Sequence, residues 1–346
     1  MRPASRVEIV DWDAHVIANP DGGHVLQTRA WGEFKRAFGW KPEYRFAEVG
    51  EREVAVLALR RHVAGLGDLW YVPKGPGVSD PGDVPRALAG SSSLQKAFAV
   101  KVEPEIEAVR VDATQWARAG LRKSPRDVQM SRSTIIVDIR GDEDALLASF
   151  KPKCRYNIRL AARRGVEVTA VPMTEQNMAT MYSLMGSTQD RAGFFLRPER
   201  YFRGYWSLQA ASGQAQLFFA TLDGTVLAGV VATYLGRRGW YKDGGSTRAH
   251  ASLMAPHLLQ WEVMRWLRGR GVESYDLVAV PPSTQLRAGH PLYGLYRFKS
   301  GFSEAVTDFT GTWDLPLRPR ALAVWERWGE RVAERVSRRL RRDLFY

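Results

Sequence analysis

Apolar residues along this chain switch between a period of two and a period of three to four, and the switches mark out its elements. From Leu217 to Leu235 the run LFFATLDGTVLAGVVATYL reads as two strands joined by the turn Asp223-Gly224. A third strand covers Gly239 to Asp243 and ends at the pair Gly244-Gly245. The period then lengthens. Leu258, Trp261, Val263, Trp266 and Leu267 recur at helical spacing, which predicts a helix from Met254 to Arg268 that Gly269 to Gly271 terminate. Ser274 to Val278 is the next expected strand.

The same order occurs nearer the start of the chain. A helix is expected over Val25 to Trp40, then strands over Tyr44 to Val49, Val54 to Arg60 and Leu69 to Val72, a helix around Pro85 to Phe98 and a strand over Ala99 to Glu103. FAEVGEREVAVLAL matches FATLDGTVLAGVVA in layout, and WYVPKGP matches WYKDGGS, so the pattern predicts an internal duplication. Gly120 to Arg132 reads as a connection, Ser133 to Ile139 as a strand, and Asp142 to Phe150 and Asn177 to Gln189 as helices. Asp190 to Phe202 reads as a loop rich in arginine and aromatics, Pro281 to Pro291 as a loop, and Tyr293 to Phe302 as an aromatic strand carrying Lys299. A final helix, Arg320 to Arg342, has Trp325, Trp328, Val332, Val336 and Leu340 on one face. Docking of that face against the body is the expectation, and an interfacial helix on an anionic membrane is the alternative.

This arrangement predicts an α/β (α+β) protein of two tandem domains, the first spanning 1–137 plus 312–346 and the second 138–311. Hairpin, strand, loop, helix, strand resembles the core of a GNAT-type acyltransferase domain. Such a domain holds the pyrophosphate of acetyl-CoA on backbone amides in a glycine-containing loop before the long helix. Here that loop reads Ser246-Thr247-Arg248-Ala249-His250-Ala251-Ser252-Leu253, without glycine, so the expected fold is kept with a different acyl donor.

Composition narrows the partners. The 346 residues suffice for two cores, and a formal net charge of +13 attracts polyanions: nucleic acid, an anionic membrane surface or a phosphorylated substrate. Cys154 is the one cysteine, which excludes an internal disulfide and argues against a cysteine zinc site. No apolar stretch approaches a membrane span and the N-terminus has no signal-like core, so a cytoplasmic protein is expected. No zinc-protease, Walker, Rossmann or Ser-His-Asp pattern sits in a supporting context, and neither a metal nor a cofactor is expected. Lys151, Lys153, Arg155, Arg159, Arg163 and Arg164 form a basic cluster, read either as a solvated helix face or as a phosphate-binding segment.

Several motifs, in order along nearly the whole chain, resemble the Fem aminoacyl transferases (FemA, FemB, FemX). They are WGEFKRAFGW, YVPKGPGV, VKVEPEI, KPKCRYNIRLAARRGVEV, QDRAGFFLRPERYF, WYKDGGS, SYDLV and LYRFKSGF. In length the chain is similar to the short FemX type without a coiled-coil arm. The resemblance implies transfer of glycine, alanine or serine from aminoacyl-tRNA to the side-chain amine of the third residue of a peptidoglycan stem peptide. UDP-MurNAc-pentapeptide or lipid II would be the acceptor, with peripheral contact at the inner membrane face.

It also implies roles for particular residues. Lys299 matches the lysine of the F-K-x-G-F motif and is the catalytic candidate, its ammonium holding the tRNA's terminal phosphate or the developing oxyanion. Lys35, Glu103, Arg197, Tyr201, Tyr241 and Asp243 fall at acceptor-binding positions; where many members carry Tyr-x-Tyr-Gly, this chain has Tyr241-Lys242-Asp243-Gly244. Lys151, Lys153, Arg155 and Arg159, with Lys299, are the tRNA-binding candidates. Two other readings remain open on sequence: a non-catalytic RNA- or membrane-binding adaptor of the same fold, and a transferase acting on a non-peptidoglycan acceptor.

Overall fold

The computed structural model describes residues 1–88, 96–192 and 195–346. Most of the expected helix after Asp83–Leu88, and Gly193 and Phe194 of the aromatic loop, lie outside the described residues. The chain divides into two compact units, Met1–Arg132 with Asp308–Tyr346, and Ser133–Thr307. The boundaries lie a few residues from those read in the sequence. Ile136–Asp138 pairs antiparallel with Ser274–Asp276 in the second sheet, while the Phe309 and Thr310 amides donate to Arg132 and Ile106 carbonyls in the first unit.

In the first unit Lys41–Val49, Arg52–Val63 and Gly67–Val72 form an antiparallel meander, and Ala97–Val102 then runs parallel to the last of them. Trp313–Pro316, from the far end of the chain, pairs antiparallel with Ala97–Val102 and so completes this sheet. Alternate residues Val54, Val56 and Ala58 meet Trp70, Val72, Val100 and Val102 in one core, and Ala55, Leu57 and Leu59 between them are buried on the opposite face, so both faces of the sheet are covered. The first helix is shorter than its pattern, Arg29–Arg36. Thr28 takes the extended cap conformation and its hydroxyl accepts the Trp31 amide, which separates the helix from the preceding turn Val25–Gln27.

The second unit repeats the order. Ala215–Leu222, Thr225–Leu235 and Arg238–Ser246 form the meander, and Ser274–Asp276 runs parallel to Arg238–Ser246. Asp223 and Gly224 both have positive φ, 49° and 75°, the hairpin turn expected of an Asp-Gly pair. Ala255–Arg268 is the long helix, and it shares a core with Pro152–Arg163 through Ile158, Ala161, Leu258, Trp261 and Met264. The internal duplication is therefore present as two meanders, each followed by a parallel fourth strand.

Three expectations are corrected. Asp190 to Phe202 is not one loop, because the helix Glu175–Ala192 runs into it and the helix Glu199–Ala211 begins within it. Tyr293–Lys299 is a helix and not a strand, with Phe298 and Phe302 packed on His257. The chain from Pro319 to Arg341 is helical throughout, with wider π turns at Trp325–Gly329 and Ser337–Arg341, but it docks on another face than the one expected. Leu322 and Trp325 are buried, the latter against Phe98 and Phe345, whereas Trp328, Val332, Val336 and Leu340 face outward.

Candidate active site

In the second unit the central strands part. Arg238–Ser246 and Ser274–Asp276 are paired only at Arg238, Gly239 and Trp240, and beyond Asp276 the chain bonds instead to the other side, through the Leu277 and Val280 amides to Ile135 and Ser133 carbonyls. The corresponding pair in the first unit stays joined from Asp68 through Val72. At the parting point Val278 and Ala279 have φ of +49° and +29°, a conformation costly for a β-branched valine. Their carbonyls turn toward one group, the Lys299 Nζ, which donates to them at 2.8 and 3.1 Å.

Lys299 is the last residue of its helix and is 3% exposed. Burial lowers its pKa to about 7, against the opposing pull of Asp276. The ammonium expected from sequence as a fixed charge is therefore poised near neutrality. Its Nζ lies 5.6 Å from the centroid of the Tyr241 ring, and burial raises the Tyr241 hydroxyl to about 12. Asp276 is itself anchored by the Thr134 hydroxyl and the Val278 amide, and Gln260 accepts from Tyr275 at 2.9 Å. The F-K-x-G-F spacing has a packing reason. A Cβ at Gly301 would lie 3.1 Å from the Phe298 carbonyl oxygen and 3.2 Å from the Cys154 Cβ, and the Gly301 carbonyl accepts the Lys151 amide.

A bulge at Lys242 separates two candidates that sequence spacing puts on one face. Val231 faces Asp243 and Ala232 faces Tyr241, so Lys242 is the extra residue. Tyr241 thus joins the core beside Lys299, whereas the Asp243 carboxylate accepts from Trp206 Nε1 at 2.8 Å on the helix Glu199–Ala211. Lys242 lies over the Tyr205 ring on that same helix, and Arg197 lies over Tyr201, 4.3 Å from its centroid. Arg197, Tyr201 and Asp243 therefore cluster around the aromatic helix, and Tyr241 and Lys299 around the parted strands.

Lys35 and Glu103 belong to the first unit. Lys35 is 2% exposed with its Nζ over the Trp31 ring. Glu103 is a buried hub: its carboxylate accepts from the Tyr71 hydroxyl, the Thr312 hydroxyl at 2.9 Å and the Gln129 amide at 3.2 Å. These donors take up most of a carboxylate's acceptor capacity. They also tie the strand Gly67–Val72 and the returning C-terminal segment together, a use of Glu103 that its sequence position does not announce.

The basic cluster lies on the helix Pro152–Arg163 and the residues beside it. Lys153, Arg159 and Arg163 are exposed, and Lys151 pairs with Glu304 at 2.5 Å. Arg155 is not available as a free cation, because its guanidinium donates to the Ala148 and Phe150 carbonyls. Lys299, unlike this exposed row, is buried.

The loop before Ala255–Arg268 does not fit a pyrophosphate. The Leu253, Met254 and His257 amides already donate to the His250, Ala251 and Met254 carbonyls, so the backbone donors a phosphate would need are engaged. Sequence reasoning missed Val278, Ala279, Gln260 and Trp206. Asp276 was visible as one acid within the apolar run SYDLVAV, but nothing in a sequence announces which carbonyls a strained turn will aim.

Comparison with known proteins agrees with this geometry. An acetyltransferase (GNAT) domain family matches residues 148–300. A lipid II:glycine glycyltransferase of Staphylococcus aureus (strain MRSA252) is 24% identical, with 95% of this chain and 97% of the relative covered. The alignment spans 415 residues against the 346 of this chain, so the relative carries stretches absent here. A crystal structure of FemX superposes with a TM-score of 0.82 at 21% identity, covering 94% of this chain and all of that one. A tandem GNAT protein from the clavulanic acid biosynthesis pathway superposes with a TM-score of 0.50 at 13% identity, covering 90% and 96%. The fold is that of tandem GNAT-like domains, and the resemblance to Fem transferases extends over nearly the whole chain.

Proposed function

We propose that this chain is a transferase that moves an amino acid from aminoacyl-tRNA to the side-chain amine of a peptidoglycan precursor, with Lys299 at the reacting centre. The observation that carries the reading is the buried Lys299 ammonium, held by the Val278 and Ala279 carbonyls where the second unit's strands part. The similarity to a lipid II:glycine glycyltransferase supports lipid II as acceptor and glycine as the first donor to test, ahead of alanine and serine. It also supports work at the inner membrane face. Among the described residues no helix is long and apolar enough to cross a membrane.

In the proposed reaction the acceptor amine attacks the ester carbonyl of aminoacyl-tRNA, a C–N bond forms, the C–O bond to the ribose breaks, and the proton lost by nitrogen ends on the ribose oxygen. An acceptor lysine must first be deprotonated, which costs roughly 4 to 5 kcal/mol at neutral pH. The ester supplies its own activation, so the protein contributes positioning and charge stabilisation. Lys299 would face the oxyanion of the tetrahedral intermediate; Arg197, over Tyr201, would hold an acceptor phosphate, and the exposed Lys153 and Arg159 the tRNA backbone.

Transfer of labelled amino acid from charged tRNA into lipid-extractable material tests the reading, with ribonuclease digestion of the donor as control. Transfer that survives the digestion would remove tRNA from the reaction. Binding of tRNA should weaken steeply between low and moderate salt, and Lys153→Ala with Arg159→Ala should lower the slope of log affinity against log salt by about 1 to 2. This pair is preferred to one containing Arg155, which serves the fold. Arg197→Ala should raise the acceptor KM about ten- to a hundredfold and leave kcat nearly unchanged, as for a phosphate contact made equally in ground and transition states. A fall in kcat at unchanged KM would put Arg197 at the reacting centre.

The adaptor reading is kept as the alternative that charge alone supports. It has no use for a buried, near-neutral lysine. A Fem-like transferase with a non-peptidoglycan acceptor shares the same Lys299 chemistry and differs only in what the aromatic helix holds.

A further inference from the structure

The helix from Pro319 to Arg341 sorts its side chains by chemistry. Val324, Trp328, Val332, Val336 and Leu340 recur every fourth residue and are 50, 60, 54, 48 and 77% exposed. One residue before each of the last four stand Arg327, Arg331, Arg335 and Arg339, all exposed, so an arginine row runs beside the apolar row. The wider turns at Trp325–Gly329 and Ser337–Arg341 help a four-residue repeat stay aligned along the helix. The helix's acids are kept off this surface. Glu326 pairs with Arg122, Glu330 accepts from the Tyr346 hydroxyl at 2.9 Å, and Glu334 accepts the Phe345 amide at 3.2 Å. Arg327, Arg331, Arg335 and Arg339 make no ion pair among the described residues.

The helix ends beside a basic cup of about 320 Å³ lined by Arg36, Trp40, Lys41, Arg60, Arg61 and His62. The Arg341 guanidinium reaches it, donating to the Phe38 carbonyl at 3.3 Å, and a Cβ placed on Gly39 would be 3.2 Å from Arg341 and 3.3 Å from Arg61. Two guanidinium groups therefore meet above Gly39. Burial, and after it the neighbouring Arg341 charge, lowers the Arg61 pKa to about 10.

We propose that this face of the first unit is a membrane-docking surface: Trp328, Val332, Val336 and Leu340 enter the interface of an anionic bilayer, Arg327, Arg331, Arg335 and Arg339 lie among its phosphates, and the cup at the helix end seats a lipid phosphate. An RNA would satisfy the arginines and leave the exposed valines, Trp328 and Leu340 in water, whereas a bilayer interface takes both rows at once. The 23 residues from Pro319 to Arg341 lie flat in this arrangement; they carry too many charges to span. The assignment stands independently of the transfer reaction, since it concerns where the protein sits.

Flotation of the full chain with vesicles tests it. Binding to phosphatidylcholine vesicles containing about 30% phosphatidylglycerol by mole is expected to exceed binding to pure phosphatidylcholine by about tenfold or more, because each arginine near an anionic surface adds several-fold. Trp328→Ser with Leu340→Ser, and separately Arg331→Glu with Arg335→Glu, should each reduce binding about tenfold or more without changing the thermal midpoint, since all four side chains are exposed. A dye on Leu340→Cys should report transfer to an apolar environment; Cys154 is buried and does not compete. Absence of vesicle binding by the unaltered protein overturns the proposal. So does loss with the arginine pair alone while the apolar pair binds normally, or loss of tRNA binding in both pairs with vesicle binding intact, which would make the surface an RNA contact.

Discussion

Lys299→Ala is expected to lower kcat about a hundredfold or more while acceptor affinity stays nearly intact, the mark of a group that acts on charge present only in the transition state. Lys299→Arg should recover little, because a planar guanidinium cannot occupy the point between the Val278 and Ala279 carbonyls that the compact ammonium fills. The pH profile carries a second, independent signature. Below its own pKa the acceptor amine gains reactive form tenfold per pH unit, so the rate should rise with pH. The Lys299 ammonium is fully present below about 7 and is lost as pH rises through that value. The two slopes oppose each other, and the wild-type rate should level off above about pH 7. In Lys299→Ala the break should vanish and the much lower rate should keep rising. A lysine acting as a neutral base would instead give a rate that rises about a hundredfold per pH unit below 7 and still about tenfold per unit above it, with no levelling off, and would reassign the role.

Gly245→Ala should destabilise the second unit by about 3 kcal/mol, at the upper end of what overpacking costs. A Cβ there would sit 2.5 Å from the Leu184 carbonyl carbon and 2.7 Å from the Met185 nitrogen, so the backbone of the helix Glu175–Ala192 would have to retreat from the strand. With about 2 to 4 °C per kcal/mol for a domain of this size, the second unit's thermal midpoint should fall by roughly 6 to 12 °C. Gly186 lies in that same helix in open space, and Gly186→Ala should be neutral or stabilising by up to about 1 kcal/mol. Equal midpoints for the two variants would mean that the close approach at Gly245 does not constrain the unit.

The sequence made this glycine pair visible but not its reason. Strand, turn and long helix were legible because each has its own period: the Asp223-Gly224 turn, the apolar positions of Ala255–Arg268 and the repeated meander all follow from local chemistry. What could not be read depends on register or on tertiary partners. The bulge at Lys242 exists only in the pairing of two strands, and it sends Tyr241 and Asp243 to different surroundings although their spacing in a regular strand puts them together. Lys299 was legible as a residue and misplaced as an element, since the aromatics around it fit a strand period while their packing on His257 makes them a short helix.

The C-terminal helix shows a related limit. Its apolar stripe was plain, and burial of that stripe was the natural expectation; instead Leu322 and Trp325 dock and the four apolar residues beyond Trp325 stay outside. Apolar periodicity reports a face and not what covers it. Glu103 was read as an acceptor-binding residue, and its three internal donors come from segments distant in sequence, at Tyr71, Gln129 and Thr312.

The most direct measurement of the central claim is the mass of the acceptor after incubation with the protein and individually charged tRNAs. Lipid II and UDP-MurNAc-pentapeptide would be offered separately with glycyl-, alanyl- and seryl-tRNA. The account predicts a gain of one aminoacyl residue on the third residue's side chain of at least one acceptor, absent with uncharged tRNA and reduced about a hundredfold in rate by Lys299→Ala. No gain with any pairing, from protein that still binds tRNA, would contradict the proposed transfer and favour the adaptor.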